Sequence, residues 1–133
     1  MMRVVAAVGA AMVLTGLVGA GVAHAGPPPP CSFTLSPPQI VHVDGAPVVT
    51  ATMAPGACGF PADPYSSVAC VRILGVDSAG QCSQGRGAQP AQVFYAPYRP
   101  GAVYESTGRG CGRWSGNLPA PDCQLLGPFA ATL

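Results

Sequence analysis

The 133-residue sequence predicts an all-β fold, an antiparallel β-sandwich of about seven short strands stapled by disulfides. Three observations predict it. Apolar residues recur with period two in several short runs, the signature of half-buried strands. Gly and Pro punctuate those runs, and their 34 positions (18 Gly, 16 Pro) leave no window with an uninterrupted 3.6-residue apolar period, so helix is nearly excluded. Six cysteines, an even count, read as a disulfide framework in a chain of this size.

In chain order, Cys31, Phe33 and Leu35 alternate with Ser32, Thr34 and Ser36, and Pro37-Pro38 stops that strand. Ile40–Val43 is a second short piece, and Asp44-Gly45-Ala46-Pro47 is a turn. Val48–Met53 resumes, with Val49, Ala51 and Met53 on one face, until Pro55-Gly56 breaks it. Gly59–Pro64 reads as a loop. Ser67–Leu74 is the most apolar strand, with Ala69, Val71 and Ile73 on one side. Gly75–Gly80 is a turn, and Ser83–Pro90 a Gly-rich loop around Arg86. Ala91, Val93 and Tyr95 share one face of the next strand, and Pro97 and Pro100 bracket a corner. Ala102–Thr107 continues as strand, Gly108-Arg109-Gly110 loosens it, and Gly112–Pro121 is a loop containing Trp114. Leu125, Phe129, Ala131 and Leu133 mark a last strand, bent at Gly127-Pro128.

The N-terminal segment predicts the compartment. Arg3, an uncharged run over Val4–Ala23 and the small-residue pattern Ala23-His24-Ala25 read as a signal peptide over 1–25, cleaved before Gly26. The alternative, an uncleaved anchor, has nearly the length to span a bilayer, but its four glycines and the Ala-x-Ala ending favour cleavage. Gly26–Pro30 then forms a stiff Pro-rich tether, and 31–133 a single domain. The expected location is extracellular or the cell envelope, without membrane insertion after cleavage.

Beyond the leader, five arginines (Arg72, Arg86, Arg99, Arg109, Arg113) balance five acids (Asp44, Asp63, Asp77, Glu105, Asp122). Zero net charge argues against nucleic acid, which selects a positive surplus. No C-x-x-C pair occurs, and His42 is the sole histidine beyond the leader, so zinc loses to disulfides and no metal or other cofactor is expected.

Six cysteines allow fifteen connectivities. Hairpin symmetry favours three sequential pairs: Cys31 with Cys58 about the Asp44–Pro47 turn, Cys70 with Cys82 about Val76, and Cys111 with Cys123 about Asn117. A bridge between sheets, such as Cys58 to Cys111, is the competing arrangement.

Over Tyr98-Arg-Pro100-Gly101-Ala-Val-Tyr104 the chain resembles the tyrosine corner of fibronectin type III domains, with Tyr98 where leucine is usual. The resemblance implies an immunoglobulin-like or fibronectin III-like sandwich and a structural role for Pro100 and Tyr104, the Tyr104 hydroxyl bonding back to the corner. The Cys70…Cys82 and Cys111…Cys123-Gln124-Leu125 segments more faintly resemble neocarzinostatin-type apoproteins, secreted sandwiches with a cleft for an apolar chromophore; Cys31 and Cys58 have no counterpart there. Across its length the chain resembles small secreted actinobacterial proteins of the mycobacterial type, a likeness that implies compartment and no activity.

Catalytic constellations are absent from the sequence. His42 sits on a short strand with no evident partner, Glu105 is the lone glutamate, and no G-x-S-x-G, H-E-x-x-H or P-loop pattern occurs. The sequence therefore predicts a non-enzyme, a monomer that binds an extracellular protein or glycan; the alternative is a carrier of a small apolar ligand in a sandwich cleft. Two features favour binding. Gly85-Arg86-Gly87 and Gly108-Arg109-Gly110-Cys111-Gly112-Arg113 set guanidinium groups among flexible backbone amides, an arrangement that cradles anions. Tyr98 and Trp114 lie in turn-like segments, where aromatic rings serve as contact surface. Tyr98, Arg86, Arg109, Arg113 and Trp114 are thus the candidate contact residues, with Tyr98, Arg109 and Trp114 clustered and exposed.

Overall fold

The structure, a computed structural model, describes residues 28–116 and 120–133. The expected leader, the first two tether residues and residues 117–119, about which Cys111 and Cys123 are symmetric, lie outside the described residues.

Among the described residues eight strands form, all paired antiparallel: β1 (Cys31–Leu35), β2 (Gln39–Val43), β3 (Ala46–Cys58), β4 (Ala62–Ile73), β5 (Gln81–Arg86), β6 (Ala91–Tyr95), β7 (Val103–Trp114) and β8 (Asp122–Thr132). They make two sheets. In the first, β1 and β2 lie end to end along one edge of β3, and β6 pairs with the other edge. The second has the order β5-β4-β7-β8.

Local chemistry accounts for this layout. Pro37 and Pro38 supply no ladder donor, so the edge strand splits there into β1 and β2. Ser36 bridges the break: its amide donates to Thr52 O (3.0 Å) and its hydroxyl accepts from Thr52 N (2.9 Å). Asp44 and Gly45 both have positive φ (52° and 79°), the two-residue hairpin turn that Asp-Gly favours. Ala46 and Pro47 therefore belong to β3 rather than to the turn.

The core lies between the sheets. Val49, Ala51 and Met53 of β3, Ala91 and Val93 of β6, and Ala69, Val71 and Ile73 of β4 are all buried there, the alternation read from the sequence. β7 faces them with an unusual surface. Its inward positions after Tyr104 and Ser106 are Gly108, Gly110 and Gly112, each buried. A Cβ on Gly108 would stand 2.6 Å from Met53 Sδ, one on Gly112 would stand 3.1 Å from Cys31 Sγ, and one on Gly110 would overlap the Phe33 ring. The first strand is set directly onto glycine backbone. Two hydrogen bonds fix that seat: Gln124 Nε2 donates to Cys31 O (2.7 Å) and Ser106 Oγ to Ser36 O (2.9 Å).

Several sequence expectations change. Gly108-Arg109-Gly110 does not loosen a strand; it is the interior of β7, which is paired on both edges as far as Gly112 and continues against β4 to Trp114. Ser83–Arg86 is likewise strand, because β5 pairs with β4 from Gln81 to Arg86. β3 continues past Pro55-Gly56 to Cys58, aided by a register shift between Cys31 and Phe33, and β4 begins at Ala62 inside the expected loop. In β8 a shift between Ser106 and Gly108 changes the side-chain phase. Leu126, opposite Gly108, consequently packs on the core and Leu125 is 82% exposed, while Phe129, opposite Ser106 on this edge strand, is 42% exposed. Pro30, expected in a tether, is buried, and its carbonyl accepts from Gly59 N (2.8 Å).

The corner between β6 and β7 carries the expected bond. Arg99 N donates to Tyr104 Oη at 2.9 Å, and Tyr104 is wholly buried. Tyr95 meets the Tyr104 ring edge-on (5.8 Å between centroids) and Tyr98 stacks on it (6.4 Å). The three disulfides are Cys31–Cys58, Cys70–Cys82 and Cys111–Cys123, each joining residues directly opposite in a ladder. With all six cysteines bonded, the chain has the pattern of an oxidising compartment, consistent with an extracellular location.

Two predictions follow from the core. Gly110→Ala forces a methyl into the Phe33 ring and is expected to cost about 1–3 kcal/mol in urea unfolding, as overpacked cores do. Trimming the ring as well, in Gly110→Ala with Phe33→Leu, is expected to lose less than the sum of the single losses; strict additivity would show that the two residues do not meet. Ser67 Oγ is buried with no hydrogen-bond partner among the described residues, whereas the buried Ser106 donates a bond. Ser67→Ala is therefore expected to match or exceed the parent in stability, and Ser106→Ala to lose about 1 kcal/mol, by the same measurement.

Candidate functional site: the outer face of the β5-β4-β7-β8 sheet

The Gly/Arg alternation that carries the core also builds the outside. In β7 each glycine turned inward leaves its neighbour outward: Arg109 and Arg113 are exposed on the face opposite the core. In β5, Gly85 is buried, where a Cβ would stand 2.7 Å from Pro90 O, and Arg86 is exposed on the outer side. Strand period two thus delivers three arginines from two strands to one face.

Register places them. Gln84, Val68, Arg109 and Leu125 form one row across β5, β4, β7 and β8. Arg86, Ser66, Cys111 and Cys123 form the next, and Asp63 opposite Arg113 belongs to the row beyond. With strands about 4.8 Å apart and side chains on one face about 6.7 Å apart, the three arginine Cα atoms mark a triangle with sides of about 12–13 Å. Ser66 lies inside it.

The arginines differ in their surroundings. Arg113 lies over the Tyr65 ring, 5.4 Å from its centroid, a cation–π contact. Tyr65 reaches this position because the register shifts between Pro64 and Ser66. Arg109 Nη2 donates to Cys123 Sγ (3.5 Å), so its head group lies against the Cys111–Cys123 bridge. Arg86 borders a depression of about 240 Å³ lined by Tyr65, Ser66 and Gln84. None of the three is ion-paired among the described residues. Arg72 is: its Nη2 meets Glu105 Oε1 at 2.8 Å, with Nε donating to the same oxygen at 2.9 Å.

The remaining candidates are placed elsewhere. Tyr98 does not join Arg109 and Trp114. It is half-buried beside Tyr104 at the start of β7, because the corner folds its ring back onto the core, and Trp114 is at that strand's far end. Trp114 is not a free ring on a loop; it ends β7 opposite Ala62 and packs on Gly59, where a Cβ would stand 2.7 Å from Cη2. Its half-buried edge borders a second depression, of about 230 Å³, with Asp63 and Arg113. Pro100 and Tyr104 serve the corner. His42 is exposed on edge strand β2 opposite Pro47. Tyr65, Ser66 and Gln84 escape a sequence reading, since only the β4 register brings them beside the arginines.

A carrier needs space between the sheets. Three depressions, of about 240, 230 and 180 Å³, are lined chiefly by residues of the β5-β4-β7-β8 sheet, and β1 is seated on the glycines of β7. Among the described residues no group of three or more His, Cys, Asp or Glu is placed to hold a metal ion.

Comparison with protein-family models, curated proteins and solved structures yields no match.

Proposed function

We propose that this chain is a secreted or envelope-associated, non-catalytic binding module whose interface is the outer face of the β5-β4-β7-β8 sheet. One observation carries the reading: Arg86, Arg109 and Arg113 share that face without ion-pair partners among the described residues, while the sole remaining arginine of the sheet is spent on Glu105. Three unpaired guanidinium groups on one rigid surface attract an acidic partner and orient it through forked hydrogen bonds. The other sheet supports the assignment by contrast, because β1, β2, β3 and β6 contain no Asp, Glu, Lys or Arg.

Secretion rests on the leader pattern together with three disulfides. The immunoglobulin-like, fibronectin III-like character of the sandwich is supported by its strand order and by the Tyr104 corner bond. Such a sandwich presents its sheet faces as contact surfaces and needs no catalytic apparatus to do so.

The test is retention of the purified secreted protein on envelope material from producing cells. Arg109→Glu with Arg113→Glu is expected to lower retention at least about tenfold, the effect of about 1.4 kcal/mol. Phe94→Ser, on the other sheet, is expected to leave it unchanged. Equal retention of the parent and the double charge reversal would remove this face as the interface.

A further inference from the structure

Building on that interface, we propose that its partner is a linear polysaccharide bearing carboxylates. The first argument is the arginine layout. The three arginine Cα atoms mark a triangle with sides of about 12–13 Å, and two of the head groups are held by different neighbours, Arg113 over Tyr65 and Arg109 against Cys123, a layout suited to charges repeated along a chain. Each head group presents a planar fork, which matches a carboxylate through two parallel hydrogen bonds. Asp63, opposite Arg113, offsets part of that charge, so the face is moderately positive. That balance fits a polymer of spaced single charges better than the dense phosphates of a nucleic acid.

The second argument is what lies between the arginines. Ser66, Gln84 and Tyr65 line the depression beside Arg86 and supply hydroxyl and amide groups, which donate and accept as sugar hydroxyls do. A protein partner would need an apolar anchor at the centre of its contact. Here the centre is Ser66 and the Cys111–Cys123 bridge; Leu125 stands at the sheet margin, and Arg113 covers one face of the Tyr65 ring. The third argument is rigidity. Cys70–Cys82 ties edge strand β5 to β4 and Cys111–Cys123 ties edge strand β8 to β7. Both bridges hold the spacing of this face, so little ordering cost falls on binding.

The experiment uses the secreted protein with its disulfides formed and measures binding to polygalacturonate, to neutral dextran and to poly-L-glutamate at low and physiological salt. Polygalacturonate is expected to bind, more weakly at the higher salt, and dextran not to bind. Arg86→Gln, Arg109→Gln and Arg113→Gln are each expected to weaken polygalacturonate binding by about threefold to tenfold, with unfolding midpoints unchanged because all three side chains are exposed. No binding to polygalacturonate, or equal binding to dextran, overturns the proposal. Equal, arginine-dependent binding to poly-L-glutamate overturns the polysaccharide assignment and leaves the interface standing. Polygalacturonate binding that survives all three substitutions together overturns the interface as well.

Discussion

Phe33 rests on the backbone of Gly110, and much of the molecule follows from that contact. A side chain at position 110 would push β1 away from β7, and β1 carries Cys31, Phe33 and Leu35 into the core together. Gly108 and Gly112 extend the same seat under Met53, Leu35 and Cys31. Protein cores are close-packed, so a strand that offers no side chains inward must receive them from the opposite layer. β7 does so along half its length. Its own apolar contribution is confined to the other end, where Tyr104 anchors the corner.

The same constraint joins fold to surface. Because alternate positions of β7 are glycine for packing reasons, the intervening positions are free to be polar, and two of them are arginine. β5 repeats the device with Gly85 and Arg86. The flat inner face and the charged outer face are two sides of one alternating pattern. The two sheets consequently differ in character: the strands β1, β2, β3 and β6 have no Asp, Glu, Lys or Arg, and the strands β5, β4, β7 and β8 hold Asp63, Arg72, Arg86, Glu105, Arg109, Arg113 and Asp122.

Where apolar alternation was strong, the sequence was easily read. Val49, Ala51 and Met53, then Ala69, Val71 and Ile73, announce their faces, and hairpin symmetry locates the cysteine pairs that the structure joins. The Tyr98–Tyr104 segment signals its corner because Pro, Gly and Tyr recur at fixed offsets. β5 and the second half of β7 are hard to read because period-two patterns are detected through apolar side chains: the inward residues are glycines in β7, and Gln81, Ser83 and Gly85 in β5. The phase of β8 was hidden by a ladder irregularity, which exchanged Leu125 for Leu126 in the core. Among the candidate contact residues, Arg86, Arg109 and Arg113 were picked out as cradles in flexible loops and lie on rigid strands instead. Tyr98 lies in the expected turn, but its ring packs on Tyr104 instead of facing solvent, and Trp114 ends β7 where the sequence suggests a loop.

Amide hydrogen exchange of the native protein tests this account most directly. If Gly108–Gly112 is the interior of a strand paired on both edges, its amides will exchange as slowly as those of Ala69 and Val71 in β4. Exchange at the rate of the Gly45 and Gly75 turn amides would show a mobile loop, and would contradict both the seat for Phe33 and the fixed arginine face.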